Sequence, residues 1–215
     1  MTPYAAVIFD LDGTLIDTER RLMEAGAEVL AELGYEVERS FLTSLVGIDA
    51  SVGYARLRAH IGTGFDEAAF SKVWHGAAER AFATGVPTMP GVETLLDRVA
   101  YLPKAIATNS RTASAREKVA AAGLGRHFAD RHILGCDSVP AAKPAPDVYL
   151  AAADSLGVAP GRCLAFEDSA AGVTAALAAG MVVVHIPDMA PAAGVQAHHR
   201  ADTILDGARA AGLID

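Results

Sequence analysis

The stretch Ala5-Ala6-Val7-Ile8-Phe9-Asp10-Leu11-Asp12-Gly13-Thr14 decides how this chain folds. Val7, Ile8 and Phe9 favour extended backbone, and a run apolar on both faces suits a central strand covered on both sides by helices. Asp10 then stands at the carboxyl edge of a sheet, where open α/β proteins bind ligands. Gly13 permits the sharp turn that lets Asp10 and Asp12 face one cleft. An ordinary strand ending in an Asp-Gly turn has the same local signature, so the meaning of the two acids rests on their partners downstream. A calcium loop does not fit, because an EF-hand wants glycine at its sixth position and Glu at its twelfth, whereas Gly13 is fourth and Arg21 twelfth from Asp10.

Behind the acids the pattern turns helical. Asp17 or Thr18 can cap a helix running to about Leu33, with Glu19 in the first turn where the dipole favours an acid and Gly34 past the end. Leu22, Gly26, Val29, Leu30 and Leu33 would form its apolar face. Further helical pieces are expected from Val52 to Ala59 and from Asp66 to Ala83, and nothing between Asp17 and Thr84 reads as a strand. Trp74, Phe70 and Phe82 at helical spacing read as packing residues. The segment from Gly85 to Gly91, rich in Gly and Pro, looks like a return linker about which the helical block can hinge. The expected domains are therefore a core of residues 1–16 and 86–215 and a helical insert of residues 17–85.

Beyond Gly91, helices alternate with short apolar strands. Strands are predicted at Ala105–Thr108, His132–Gly135, Cys163–Phe166 and Met181–Ile186, separated by helices at Ala113–Ala122, Pro146–Leu156 and Ser169–Ala179, after a first helix at Val92–Tyr101. Such alternation predicts an α/β fold with a parallel sheet and right-handed crossovers. The tail from Thr203-Ile204-Leu205 to Ile214 is expected to add a short edge strand and a final helix, and His198-His199-Arg200 reads as an exposed turn.

Composition narrows the class. The 215 residues are 52% hydrophobic, enough for a sizeable core, and carry a formal net charge of -8. That charge argues against non-specific nucleic-acid or anionic-membrane binding, either of which wants a basic face. Cys136 and Cys163 lie far apart in sequence and read as packed thiols in a reducing cytoplasm, not as a disulfide or zinc site. No apolar stretch is long enough to span a bilayer and no signal segment opens the chain. The expectation is a cytoplasmic monomer that binds neither nucleic acid nor membrane.

Three further polar clusters fall where predicted strands end: Thr108-Asn109-Ser110, Lys143-Pro144 and Glu167-Asp168-Ser169. Each alone could cap a helix or sit in solvent, but the predicted topology brings all of them to the rim that holds Asp10 and Asp12. Four acids crowded there need an offset. Mg²⁺, a hard cation that keeps several waters and often bridges to phosphate, suits a site with few protein ligands. With Lys143 it would neutralise a phosphate dianion, while the Thr108 hydroxyl and nearby amides bind its oxygens. No His, Cys or Ser nucleophile with a base at recognisable spacing competes, and Asp10 itself can attack phosphorus to give an aspartyl-phosphate.

In this order the motifs resemble those of the haloacid dehalogenase (HAD) superfamily, and the helical insert resembles its C1 cap. The resemblance covers essentially the whole chain and implies a Rossmann-like core. It implies that Asp10 is the nucleophile and that Asp12 protonates the leaving oxygen and then activates water. It further implies that Thr108 and Asn109 position the phosphoryl group and that Lys143 neutralises the nucleophile and the transferring group. Asp10, Asp168 and the backbone carbonyl of Asp12 would hold Mg²⁺, with Glu167 binding directly or through water. The dehalogenases proper lack an acid at the Asp12 position, so phosphoryl transfer is favoured.

The cap arrangement is similar to that of the β-phosphoglucomutase and small-molecule phosphatase branch. Mutases of that branch carry a cap histidine that would fall at Leu22 and a Lys-Gly-x-x-Arg pattern that would fall near Val46-Gly47-Ile48-Asp49-Ala50; neither is present. Leucine cannot handle a proton, and Asp49 would repel a second phosphate, so hydrolysis of a small phosphomonoester such as a sugar phosphate is expected over isomerisation. Glu19, Arg20, Arg21, Asp49 and Arg56 are candidates for choosing the substrate, and no histidine is assigned to the site. A receiver-type signalling module also gathers acids, Thr and Lys around Mg²⁺, but it takes its phosphorylated Asp from a mid-chain strand and has no helical insert behind the first.

Overall fold

A computed structural model describes residues 2–45, 50–82, 85–189 and 194–215. The chain divides into two compact units, Met1–Asp17 with Val86–Asp215, and Thr18–Gly85. The stretch near Val46 to Asp49, where a mutase pattern and the candidate Asp49 would fall, lies outside the described residues.

The larger unit is built on strand β1 (Ala6–Phe9), every residue of which is buried. It pairs in parallel with β2 (Lys104–Ala107) on one side and β4 (Cys163–Glu167) on the other. Strands β3 (Ile133–Leu134), β5 (Val182–His185) and β6 (His199–Arg200) complete a six-stranded parallel sheet in the order β3-β2-β1-β4-β5-β6. The order changes direction at β1, which makes its carboxyl end a topological switch point. Register then fixes what meets there. Phe9 lies opposite Ile106 and Phe166, so the residues just beyond them, Asp10, Ala107 and Glu167, emerge level with one another. This is an α/β fold with a Rossmann-like parallel sheet, as expected.

Both faces of the sheet are covered, as the two-sided apolar strands require. On one face Val148, Tyr149, Ala152 and Ala153 of helix α7 (Asp147–Leu156) pack with Ala6, Ile8, Ala105, Ala107 and Ala165. The alanines let the helix approach closely enough for its single tyrosine to reach the rim. On the opposite face Phe9 stacks on Phe166 at 5.2 Å and meets Phe128 edge-on at 6.1 Å. Helices α5 (Val92–Arg98), α6 (Thr112–Ala121), α8 (Ala170–Ala178) and α9 (Ile204–Ala210) complete this unit among the described residues.

One expectation fails at the carboxyl end. The edge strand is His199–Arg200, which had read as a turn, whereas Thr203 is the N-cap of α9, its hydroxyl accepting from the Asp206 N–H. Two polar residues carry no strand signal; they pair because the Ala201 N–H can reach the His185 carbonyl at 3.1 Å.

The smaller unit contains α1 (Thr18–Glu32), α2 (Arg39–Thr43), α3 (Ala50–Ile61) and α4 (Glu67–Ala81). Met23, Ala25, Val29 and Leu30 are the buried apolar residues of α1, while Leu22, Gly26 and Leu33 are only half-buried, so the inward stripe is rotated from the one expected. Phe70 is buried and stacks on Trp74 at 5.9 Å, and Gly26 leaves the Trp74 ring room against α1. Helix α2 was not foreseen, being too short to show a period. No helix among the described residues is long and apolar enough to cross a membrane.

The segment following Gly85 is tied into the core unit. The Asp17 N–H donates to the Pro87 carbonyl at 2.9 Å, the Met89 N–H to Leu15 at 2.9 Å, and Ile16 bridges Thr88.

Candidate active site

Asp10 follows the last residue of β1 and donates its N–H to the Phe166 carbonyl at 3.0 Å, which anchors it at the rim. The turn beyond it needs Gly13 for two reasons. Its φ is +86°, and a Cβ there would come within 2.4 Å of Asp168 Oδ2. The glycine thus lets the first acidic motif approach the last.

Lys143 joins the acids. Its Nζ donates to Asp10 Oδ1 at 2.6 Å and to Glu167 Oε1 at 2.5 Å, with all three side chains almost wholly buried. Asn109 holds the Lys143 backbone, accepting its N–H at 2.9 Å and donating to its carbonyl at 3.3 Å. The Asn109 amide expected to position a phosphoryl group is thus largely engaged in fixing the lysine. Thr108 is buried, and its hydroxyl oxygen accepts the Ser110 N–H at 3.1 Å.

Glu167 is enclosed completely. Besides Lys143 it accepts from the Tyr149 hydroxyl at 2.6 Å, and its second oxygen accepts from Ser169 Oγ at 3.1 Å and N at 3.3 Å. Gly172 clears the space, since a Cβ there would overlap the Glu167 carboxylate. The Asp168 carbonyl is bonded to His185 Nε2 at 2.9 Å. Carboxylate oxygens of Asp10, Glu167 and Asp168 lie within 4.8 Å of one another. The Asp12 carboxylate is engaged elsewhere, by Ser110 Oγ and Lys118 Nζ.

Burial and neighbouring charges shift the titration of several groups at this rim. Burial pushes the Asp10 carboxyl up to about 7, a rise that Lys143 opposes and that Glu167 and Asp12 reinforce. Burial also works against the Lys143 cation, yet Asp10 and Glu167 together hold its pKa above the ordinary lysine value. Burial, then Glu167 and Asp10, raise Tyr149 well above the usual phenol value, which keeps it a hydrogen-bond donor. Carboxylate oxygens of three buried acids converge here, a set of hard oxygen donors that fits a divalent cation.

The structure therefore gathers Asp10, Lys143, Glu167 and Asp168 at one point and places Asp12, Thr108 and Asn109 around it. Of the remaining candidates, Arg21 is exposed and Arg56 donates to the Ser44 carbonyl at 3.2 Å within the helical unit. Tyr149 and Lys118 went unread in the sequence, and His185 was read as lying outside the site. Tyr149 is a polar tip on an otherwise apolar helix face, His185 is a polar residue ending a strand as Asp10 does, and Lys118 is a cation beside the buried Ala115 and Val119. Those interruptions of pattern were the available signals.

Known proteins are similar to this chain over most of its length. The sequence profile of the haloacid dehalogenase-like hydrolases matches residues 4–180. Protein CbbY of Rhodobacter capsulatus is 37% identical over 193 residues, covering 85% of each chain. Fructose-1-phosphate phosphatase YqaB of Escherichia coli is 33% identical over 186 residues, covering 85% of this chain and 96% of its own. The crystal structure of a HAD family hydrolase from Deinococcus radiodurans, with bound phosphate and sodium, superposes with a TM-score of 0.84 at 29% identity over 100% of this chain and 99% of that one. The chain belongs to the haloacid dehalogenase-like hydrolases and is a phosphatase of that superfamily.

Proposed function

We propose that this enzyme hydrolyses a small phosphomonoester of the sugar-phosphate type with the help of Mg²⁺ and through an aspartyl-phosphate on Asp10. The observation that carries the reading is the buried junction of Asp10, Lys143 and Glu167 beside Asp168, because it combines a nucleophile, a fixed cation and a cluster of carboxylate oxygens able to hold a metal ion. The fructose-1-phosphate phosphatase among the relatives supports the substrate class. We assign the choice among substrates to the helical unit Thr18–Gly85, as the cap of the family.

Asp10, Asp168 and the Asp12 carbonyl would hold the metal ion. When bound, it supplies positive charge that offsets the acids and the phosphoryl oxygens. The remaining chemistry belongs to side chains of this chain. Lys143 favours the ionised form of Asp10 against the effect of burial and draws charge from the phosphoryl group as it transfers. Asp10 Oδ attacks phosphorus, the bond to the leaving oxygen breaks, and the Asp12 carboxyl gives that oxygen a proton. Asp12, now a carboxylate, takes a proton from water as the water attacks phosphorus, releasing inorganic phosphate and restoring Asp10. Glu167, with both oxygens already accepting from Lys143, Tyr149 and Ser169, orients the lysine.

Asp10→Asn tests the reading. Hydrolysis of p-nitrophenyl phosphate should fall at least about a thousandfold, while the circular dichroism spectrum is unchanged. Retained turnover in a folded Asp10→Asn protein would reject the nucleophile, and equal rates with Mg²⁺ and with excess chelator would reject the metal.

A further inference from the structure

We infer that Lys118, acting with Ser110, is the positioning residue for Asp12; this rests on the acid-base role proposed for Asp12 above. Lys118 Nζ reaches both carboxylate oxygens of Asp12, at 2.8 Å and 2.9 Å, and also the Ser110 hydroxyl at 3.0 Å. Ser110 Oγ in turn donates to Asp12 Oδ2 at 2.9 Å. The three groups close a triangle whose corners come from different parts of the unit: the turn after β1, the loop after β2, and the last full turn of α6.

The triangle addresses a problem specific to Asp12. Asp10 is packed among buried partners, but the side chains of Asp12 and Lys118 are 23% and 27% exposed, so packing alone does not select one rotamer for the acid. Yet the same carboxyl must meet the leaving oxygen in one half of the reaction and water in the other. Contacts to both oxygens from Lys118, and to one from Ser110, fix the plane of the carboxylate in a way a single hydrogen bond would not. An ion pair this open to solvent adds little to stability. Its effect is expected in the kinetics of proton delivery.

The position of Lys118 in sequence agrees with a turned-in role. It lies three residues beyond Ala115 and one before Val119, both buried, so its alkyl stem runs along the inward side of α6 while its ammonium reaches the acid. Neither Arg116 nor Glu117, its exposed neighbours, shares that side.

The test separates proton delivery from general damage by changing the leaving group. An alkyl phosphate needs its leaving oxygen protonated, whereas 2,4-dinitrophenyl phosphate releases a stable anion that does not. Lys118→Met keeps the stem and removes the charge, and Lys118→Arg restores a two-pronged donor. kcat/KM is measured for dinitrophenyl phosphate and for whichever sugar phosphate of a panel including fructose 1-phosphate the wild type turns over fastest. We expect Lys118→Met to lower the ratio of sugar phosphate to dinitrophenyl phosphate at least about tenfold, within the range general acid catalysis commonly supplies. Ser110→Ala should lower it by less, and Lys118→Arg should recover most of it. A ratio unchanged in Lys118→Met and in Ser110→Ala, whether both rates fall together or neither does, would overturn the inference while leaving the phosphatase reading intact. A wild-type enzyme inert toward every phosphate ester would overturn both.

Discussion

At the scale of single residues, the site is governed by how few donors serve many buried acceptors. Glu167 receives Lys143, Tyr149 and Ser169, and the tyrosine's share can be removed without disturbing shape. Tyr149→Phe should cost about 1–3 kcal/mol of folding stability, read as a lower urea midpoint at unchanged slope, because a buried carboxylate loses a partner. A midpoint equal to wild type would mean that the Tyr149 bond is replaced at no cost. The acids themselves were legible in the sequence because each ends an apolar run, a break in pattern that buried strands do not otherwise tolerate. Tyr149 and Lys118 were not, since a tyrosine satisfies an apolar helix face and a lysine near a helix carboxyl end satisfies its dipole. Their second role exists only through contacts with chain far away in sequence, which periodicity does not record.

At the scale of elements, strand register does most of the work of assembling the site, and it was readable because β1, β2 and β4 are each short, apolar and followed at once by polar residues. Where an element lacks that contrast it was missed, as with His199–Arg200, or lost for want of length, as with α2. Lys104, at the first position of β2, shows a cation used structurally. Its Nζ donates to the carbonyls of Val99, Ala100 and Leu102, just past the end of α5, at 3.0, 3.4 and 3.0 Å. Burial lowers its pKa, so the lysine is kept there by those carbonyls and not by any preference of an ammonium for the interior. Lys104→Met should destabilise the fold by about 1.5–3 kcal/mol in thermal or urea unfolding. kcat/KM should stay within about twofold of wild type, since the change lies at the opposite end of the strand from the acids; a tenfold loss of kcat/KM in the folded variant would contradict that separation.

At the scale of the whole molecule, the buried acids couple stability to pH and to metal. Folded Asp10 has a pKa of about 7 against an ordinary 3.8, so the folded protein holds a proton that the unfolded chain releases. Its contribution is complete below the ordinary value and disappears as pH rises through about 7. The metal-free protein should therefore lose stability between about pH 4 and about pH 7, by at most about 1.4 kcal/mol per pH unit, the limit for one proton. Millimolar Mg²⁺ should raise the urea midpoint most at the upper end of that window, because an ion that binds the ionised site stabilises only the fold that builds it. Equal midpoints with Mg²⁺ and with chelator at pH 7.5 would argue against a cation at these carboxylates.

The chain leaves the sheet-bearing unit at Asp17 and re-enters it beside the same point, with Asp17 hydrogen-bonded to Pro87 and Ile16 bridged to Thr88. A departure and a return so close together make residues 18–85 an interchangeable cassette. Helical segments of different length could be joined between these two neighbouring ends without pulling on β1.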